Sequence, residues 1–188
     1  MNAHVAAALS QPTQVTPAPA PSPAPELSAA SLAFRSAMRK LAGAVSVLTV
    51  GQGDERTGLT ATSVTSLSVE PPTLLICVNR ATSSVVPLLK ERTFAINVLR
   101  PHHEPLANRF AGKGGLKGPA RYDGADWTRL STGAPVLADA LAAFDCELED
   151  VIERHSHLIV IGRVVASRIT ESAEPLLYWA GSYRGLSF

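Results

Sequence analysis

The stretch TGLTATSVTSLSVEPPTLLICVN, from Thr57 to Asn79, carries seven hydroxyl side chains ahead of its Pro pair: Thr57, Thr60, Thr62, Ser63, Thr65, Ser66 and Ser68. A strand built only for a core would carry fewer, because a buried hydroxyl needs a hydrogen-bond partner. From Thr65 to Val69 the alternation is regular, with Thr65, Leu67 and Val69 on one face and Ser66 and Ser68 on the other. From Thr60 through Ala61, Thr62 and Ser63 to Val64 it breaks. A break among small residues indicates a bulge or uncovered backbone, where N–H groups can face a ligand and a planar ring can approach closely. Downstream, NRATSS supplies Asn79, Arg80, Thr82, Ser83 and Ser84 at a helix start, donors suited to a phosphate. One short strand joins the two pieces, so a ligand with both a ring and a phosphate can lie across them. The same residues also fit an edge strand followed by a helix cap, and spacing alone leaves these two readings level.

The histidines offer a second chemistry. In RHSH, His155 and His157 would share a face of an extended strand, a spacing that holds zinc only if further ligands converge. His102 and His103 are adjacent, with no HExxH and no carboxylate at ligand spacing, so no metal is expected. Solvent-facing histidines, or one hydrogen-bonding in a cleft, are the plainer readings. GKGGLKG, 112–118, is Gly-rich and basic but precedes no clear strand or helix, and reads as a flexible loop with a weak phosphate signal. The chain has no GxGxxG, no GxxxxGK[ST] and no GxSxG, which argues against a Rossmann site, a P-loop or a nucleophile elbow.

The elements that must position these groups are short. Ser28 or Ser31 caps a helix whose stripe is Leu32, Phe34, Ala37, Met38 and Leu41, with Gly43 as the stop. Val45–Val50 reads as a strand, and the polar turn GQGDERTG predicts a hairpin with the hydroxyl-rich strand after it. TLLICVN reads as a buried strand, Ser83 or Ser84 as the cap of a short helix, and Thr93–Leu99 as another strand. A short helix is expected over His103–Gly112 and a surface loop from Lys113 to Asp126. Phe144, Cys146 and Leu148 alternate inward against outward Asp145, Glu147 and Glu149, and HLIVIGRVVASRI reads as a strand covered on both faces. The result is a mostly β chain: an antiparallel, closed or nearly closed barrel with a few short helices.

Composition sets the bounds. The 188 residues are 46% hydrophobic and 18% charged, enough for one globular domain. Residues 1–26 are Pro/Ala-rich and are expected to be a disordered tail without catalytic role, leaving 27–188 as the domain. The net charge of +1 gives no reason to expect a nucleic acid or an acidic membrane as partner. The longest apolar runs are too short to span a bilayer. Cys77 and Cys146 form no CxxC and sit in expected strands, which suits reduced thiols in a cytoplasmic protein.

From Phe34 to Phe188 the chain resembles the short-chain flavin reductase family, whose fold is the FMN-binding split barrel. The resemblance rests on several motifs in order: FRSAMRKLAGAVSVLT, GLTATSVTSLSVEPPTLLICVNRATSS, FAINVL, NRFAGK, FDCELEDVIERHSHLIVIGRV and PLLYWAGSYRGL. Within the family it is most similar to the reductases serving 4-hydroxyphenylacetate hydroxylase and the pyrimidine-ring-opening monooxygenase. The resemblance implies a homodimeric six-stranded split barrel that reduces FMN or FAD with NADH or NADPH. It also implies a separate flavin-dependent monooxygenase that receives the reduced flavin. Carried over by position, Thr60, Ala61, Thr62 and Ser63 would run beside the isoalloxazine, and Ser66, Leu67 and Ser68 would continue along it. Asn79, Arg80, Ser83 and Ser84 would sit near the ribityl and phosphate, with Arg109, Phe110, Gly112 and Lys113 closing the phosphate side. His157 takes the family's His position near the nicotinamide, with His155 where the family often has Gly; Tyr183 and Arg184 would border the nicotinamide. Two rival readings are a split barrel that binds flavin or haem without activity, and a metal-binding barrel using His155 and His157. An intact nicotinamide face, His157 and SYRG, argues against the first, because a pure binder needs none.

Overall fold

The computed structural model describes residues 26–171 and 174–186; the expected tail lies outside them except for Glu26. Helix α1 (Ala29–Met38) starts at Ser28, whose hydroxyl accepts from Ser31 N–H. Strands β1 (Gly43–Ala44), β2 (Ser46–Val50), β3 (Thr57–Ala61), β4 (Thr65–Ser68) and β5 (Thr73–Asn79) follow. Helix α2 (Val85–Glu91) leads into β6 (Thr93–Val98), and α3 (Glu104–Phe110) precedes β7 (Trp127–Arg129) and β8 (Pro135–Leu137). The long strands β9 (Ala142–Arg154) and β10 (His157–Ile169) come next, then the terminal hairpin of β11 (Leu177–Trp179) and β12 (Ser182–Arg184).

Seven antiparallel strands form the main sheet, in the order β3-β2-β6-β9-β10-β5-β4. Six strands were expected, and the difference lies in the hydroxyl-rich stretch. It breaks at 62–64 into β3 and β4, which become the two opposite edges of the same sheet. Consecutive strands on opposite edges require the sheet to curl until its edges approach, which is the split barrel. Two register shifts between β9 and β10 supply bends of the kind that close a barrel.

Both faces of β2 are covered, so all five of its residues are buried. Val45 and Val47 enter one core with Leu99, Phe110 and Tyr122; Leu48 and Val50 enter another with Ile76, Phe94 and Val160. A polar network pins β8 to this sheet. Thr49 Oγ1 donates to Pro135 C=O at 2.5 Å, Asn97 Nδ2 donates to Thr49 Oγ1 at 3.1 Å, and Leu137 N–H donates to Asn97 Oδ1 at 2.8 Å.

Three expectations are corrected. Asp145 is buried, not outward, because the loop ahead of β8 covers that face; its carboxylate accepts Thr132 N–H at 2.7 Å and also the Thr132 hydroxyl. The segment after Lys113 is not all surface loop: Tyr122 is buried and packs edge-on against Phe110, with ring centroids 5.0 Å apart. The stripe of α1 is apolar, yet among the described residues no residue of that helix is buried. Among the described residues no helix is long and apolar enough to cross a membrane.

Candidate functional site

The break at 62–64 is the centre of the site. Its backbone lies outside any strand, so its N–H groups take no part in a ladder. The edge of β5 facing it is still satisfied, because Ser63 Oγ accepts Cys77 N–H at 3.2 Å and donates to Cys77 C=O at 3.1 Å. Thr60 is also committed: its hydroxyl donates to Ala107 C=O of α3 at 2.7 Å. The hydroxyls of Thr60 and Ser63 therefore hold the corner in shape, while the small side chains around them leave room.

That room is a cavity of 250 Å³ bounded by Val45, Thr60, Ala61, Thr62, Lys113 and Tyr183, together with Tyr178 and Ala111. Lys113 Nζ lies 5.8 Å from the Tyr183 ring centroid, and Tyr183 meets Tyr178 edge-on at 5.3 Å. Burial and the neighbouring Tyr178 push the Tyr183 phenol up, so it stays a neutral donor near pH 7. A second cavity of 380 Å³ shares Ala111 and is lined by Ser83, Lys117 and Arg121 with Thr82, Leu59 and Phe110. Arg121 is held rigid by Nη1 on Gly58 C=O at 2.5 Å and Nε on Leu116 C=O at 3.0 Å. Small, partly apolar walls thus meet a basic end, an arrangement that suits a flat ring carrying a phosphate. Lys117 and Arg121 were not among the expected site residues; the basic GKGGLKG loop was the only signal for Lys117, and Arg121, three residues past it, had none.

His157 begins β10, paired with Asn79 of β5 on one side and Arg154 of β9 on the other. Ser63 lies opposite Cys77, two residues before Asn79, so His157 stands across β5 from the broken segment, about 12 Å away at two strand spacings and two residues along. Its Nδ1 is 2.9 Å from Ser156 Oγ. Arg80 binds this hairpin rather than a cavity: its N–H donates to Ser156 C=O at 3.0 Å and its guanidinium pairs with Glu153. Asn79 Oδ1 accepts Ala81 N–H at 2.9 Å, which shapes the NRATSS turn.

Other chosen residues stand apart from the two cavities. Ser66 and Ser68 line a separate 310 Å³ apolar groove with Val69 and Phe144, and Leu67 is exposed, because β4 is the opposite edge of the sheet. Ser84 holds the N-cap position of α2, but its hydroxyl is buried, makes no cap bond and has no partner. Arg109 turns away from the site to the Asp123 carbonyl. Phe110, by contrast, is a core residue that also lines the second cavity, while Gly112 sits exposed in a turn at φ 85° and Arg184 lies exposed on β12.

The histidine readings also change. His155 is not on an extended strand: it turns the β9–β10 hairpin at φ 49°, so it cannot share a face with His157. His102 and His103 do find a carboxylate, Asp139, 36 residues beyond His103. Their Nε2 atoms lie 2.9 Å and 3.0 Å from its two oxygens. Yet His103 Nδ1 accepts Arg100 N–H at 3.1 Å, which places the ring proton on Nε2. A metal at that Nε2 would have to displace this proton and break the Arg100 bond, so the cluster is better fitted to tie α3 to the β8–β9 loop than to hold an ion.

Comparison with known proteins agrees with this geometry. A family model described as "Flavin reductase like domain" matches residues 38–187. The FMN reductase (NADH) RutF 2 of Methylorubrum extorquens strain PA1 is 47% identical over 154 residues, covering 82% of this chain and 88% of that protein. BorF, the flavin reductase component of a bacterial two-component tryptophan halogenase, superposes with a TM-score of 0.76 at 33% identity, covering 83% of this chain and 98% of its own. The styrene monooxygenase flavin reductase of Pseudomonas putida S12 gives 0.72 at 28% identity, covering 82% and 97%.

Proposed function

Because the chain belongs to the family of flavin reductase like domains, we propose that its two cavities on either side of Ala111 hold the flavin of a nicotinamide-dependent flavin reduction. The protein is a flavin oxidoreductase that reduces FMN or FAD with NADH or NADPH and supplies the reduced flavin to a partner monooxygenase. The observation that carries the residue assignment is that a small-walled cavity and a basic one share Ala111 as a wall.

Flavin and nicotinamide, when bound, would supply the hydride chemistry, so the protein has to orient and polarise rather than attack. Ala61 and Thr62 let the ring system approach the backbone. The N–H groups of 62–64, uncommitted to a ladder, donate to the polar ring edge, where negative charge develops on reduction. Lys117, Arg121 and Ser83 hold the phosphate. Tyr183 and Lys113 close the ring cavity, and His157, across β5, positions the nicotinamide. No general base is required, so no Ser–His–Asp arrangement is expected. Ser66, Leu67, Ser68, Ser84 and Arg109 have structural or edge-strand roles in this assignment.

The functional unit is a homodimer. In support, α1 exposes Leu32, Phe34 and Met38, and the terminal hairpin exposes Tyr178 and Trp179, more large apolar surface than a monomer leaves in water. The decisive experiment is anaerobic: protein, NADH or NADPH, and FMN or FAD are mixed and flavin bleaching is followed. Bleaching is expected with at least one pair; its absence with every pair would end this reading.

A further inference from the structure

Three side chains that the flavin assignment leaves unused, His102, His103 and Asp139, meet at the head of α3. His103 holds the N-cap position of that helix and is buried. Its backbone N–H donates to Arg100 C=O at 2.9 Å while its Nδ1 accepts Arg100 N–H at 3.1 Å, so the ring closes the 101–103 turn that starts the helix. Its Nε2–H donates to Asp139 Oδ1 at 3.0 Å, across to the β8–β9 loop. Both ring nitrogens are committed, one as acceptor and one as donor, and only the neutral imidazole can do both. A second proton would go on Nδ1, set two donors against each other 3.1 Å apart and leave Arg100 N–H without its acceptor.

Charged groups around the ring pull in opposite directions. Burial, His102 with its ring centroid 4.0 Å away, and Arg100 disfavour the imidazolium, and Asp139 favours it. Glu104 follows His103 on α3, and the cavity that His103 lines also carries Arg109, Asp123 and Asp126. With an ordinary pKa of about 6.5 pushed down by burial, the ring takes its second proton in mild acid.

Helix α3 carries that change to the flavin cavities. One turn beyond His103, Ala107 C=O accepts the Thr60 hydroxyl at 2.7 Å, and at the far end of the helix Phe110 and Ala111 are walls of the basic cavity. The contact with β3 has no slack, for a Cβ on Gly58 would lie 2.6 Å from Phe110 Cε1. Gly58 C=O in turn holds Arg121 Nη1 at 2.5 Å. A shift of α3 therefore reaches both the small-walled corner at Thr60 and the arginine assigned to the phosphate.

We propose that His103 is a pH-sensitive positioning residue, whose neutral ring holds α3 in its flavin-binding place and whose protonation in mild acid weakens flavin binding. The inference rests on the reading that flavin occupies the cavities on either side of Ala111. By linkage, bound flavin must in turn make His103 harder to protonate.

Riboflavin, which has no phosphate to titrate in the same range, is the probe; its binding is followed by fluorescence at about pH 7.5 and about pH 5.5, on either side of an ordinary histidine pKa. Wild type should bind about three-fold more weakly at the lower pH, the scale of one linked proton. His103→Gln, whose amide can accept from Arg100 and donate to Asp139 without ionising, should bind equally well at both. In wild type, NMR of the His103 ring should show its titration moving to lower pH when riboflavin is bound. That readout needs no variant, and a merely structural side chain would not give it. Equal wild-type affinities at the two pH values, an undiminished loss in His103→Gln, or a His103 titration that riboflavin leaves in place would overturn the proposal alone. No riboflavin binding at either pH would overturn the flavin reading itself, and the proposal with it.

Discussion

The hydroxyl of Ser63 stands where a ladder rung is missing: it takes Cys77 N–H at 3.2 Å and returns a bond to Cys77 C=O at 3.1 Å. β4 pairs with β5 so that Thr65 faces Leu75 and Ser66 faces Leu74, and continuing that register puts Ser63 opposite Cys77. A side chain thus does the pairing that the backbone has given up. Because a hydroxyl can accept and donate at once, one serine satisfies both groups of the strand it faces. The backbone of 62–64 is thereby released towards the cavity without leaving an orphaned edge.

Ser63→Ala removes both bonds and leaves an amide and a carbonyl of β5 unpaired, a loss of about 1–3 kcal/mol. A urea titration should show a lower midpoint with the slope unchanged. Flavin affinity should weaken as well, since the loosened segment forms the cavity wall. An unchanged midpoint would mean that water replaces the hydroxyl at no cost.

Lys117 is the basic side chain of the second cavity that carries no structural hydrogen bond in the described chain, whereas Arg121 is tied to Gly58 and Leu116. Lys117→Ala should therefore weaken FMN by about ten-fold, the value of one charge-assisted contact, and leave riboflavin nearly unaffected. Flavin fluorescence titrations with both ligands read this directly. Equal weakening of riboflavin would move the phosphate elsewhere.

Strands, the α1 cap and the β2–β3 hairpin were legible because each is written in local pattern: apolar period, a capping serine, a polar glycine-rich turn. The broken alternation at Thr60–Ser63 was legible for the same reason, and it marks the corner on which the site is built. What the pattern hid depends on packing between distant segments. Asp145 alternates like a surface residue, yet Thr132, thirteen residues earlier in the chain, folds over it. Thr60 spends its hydroxyl on α3, and Arg109 reaches Asp123 rather than the cavity. Lys117 and Arg121 sit in a loop whose path is fixed by Tyr122 packing on Phe110, a contact no spacing rule announces.

His155 occupies the left-handed region at φ 49°, which side chains with a Cβ enter at a cost and glycine enters freely. His155→Gly should raise stability by about 0.5–1 kcal/mol, after allowing for the greater chain entropy of glycine in the unfolded state. Thermal unfolding followed by circular dichroism checks it. A lower midpoint would show that the side chain does more for this turn than its backbone strain costs.

Burial holds the His103 imidazole below its ordinary pKa, against the opposing pull of Asp139; His102 and Arg100 beside it push the same way as burial. The folded value lies below the unfolded value of about 6.5, so the neutral ring contributes stability that is complete above that pH and is lost as pH falls towards the folded value. Unfolding free energy should thus decline as pH drops below about 6.5, and His103→Gln should flatten that decline. Asp139→Asn removes the upward pull, so the His103 ring, followed by NMR, should titrate lower still.

His157 faces the broken segment from across β5, and among the described residues its ring bonds no acid or base; its Nδ1 lies 2.9 Å from the Ser156 hydroxyl. A residue that orients the nicotinamide, without donating a proton, should affect how well NADH is held in its reactive pose. His157→Ala is therefore expected to raise KM for NADH about ten-fold, to lower kcat by less, and to leave flavin affinity within two-fold. Anaerobic stopped-flow over a range of NADH concentrations separates the two constants. If saturating NADH no longer reduced flavin that was still bound normally, His157 would be part of the chemical step.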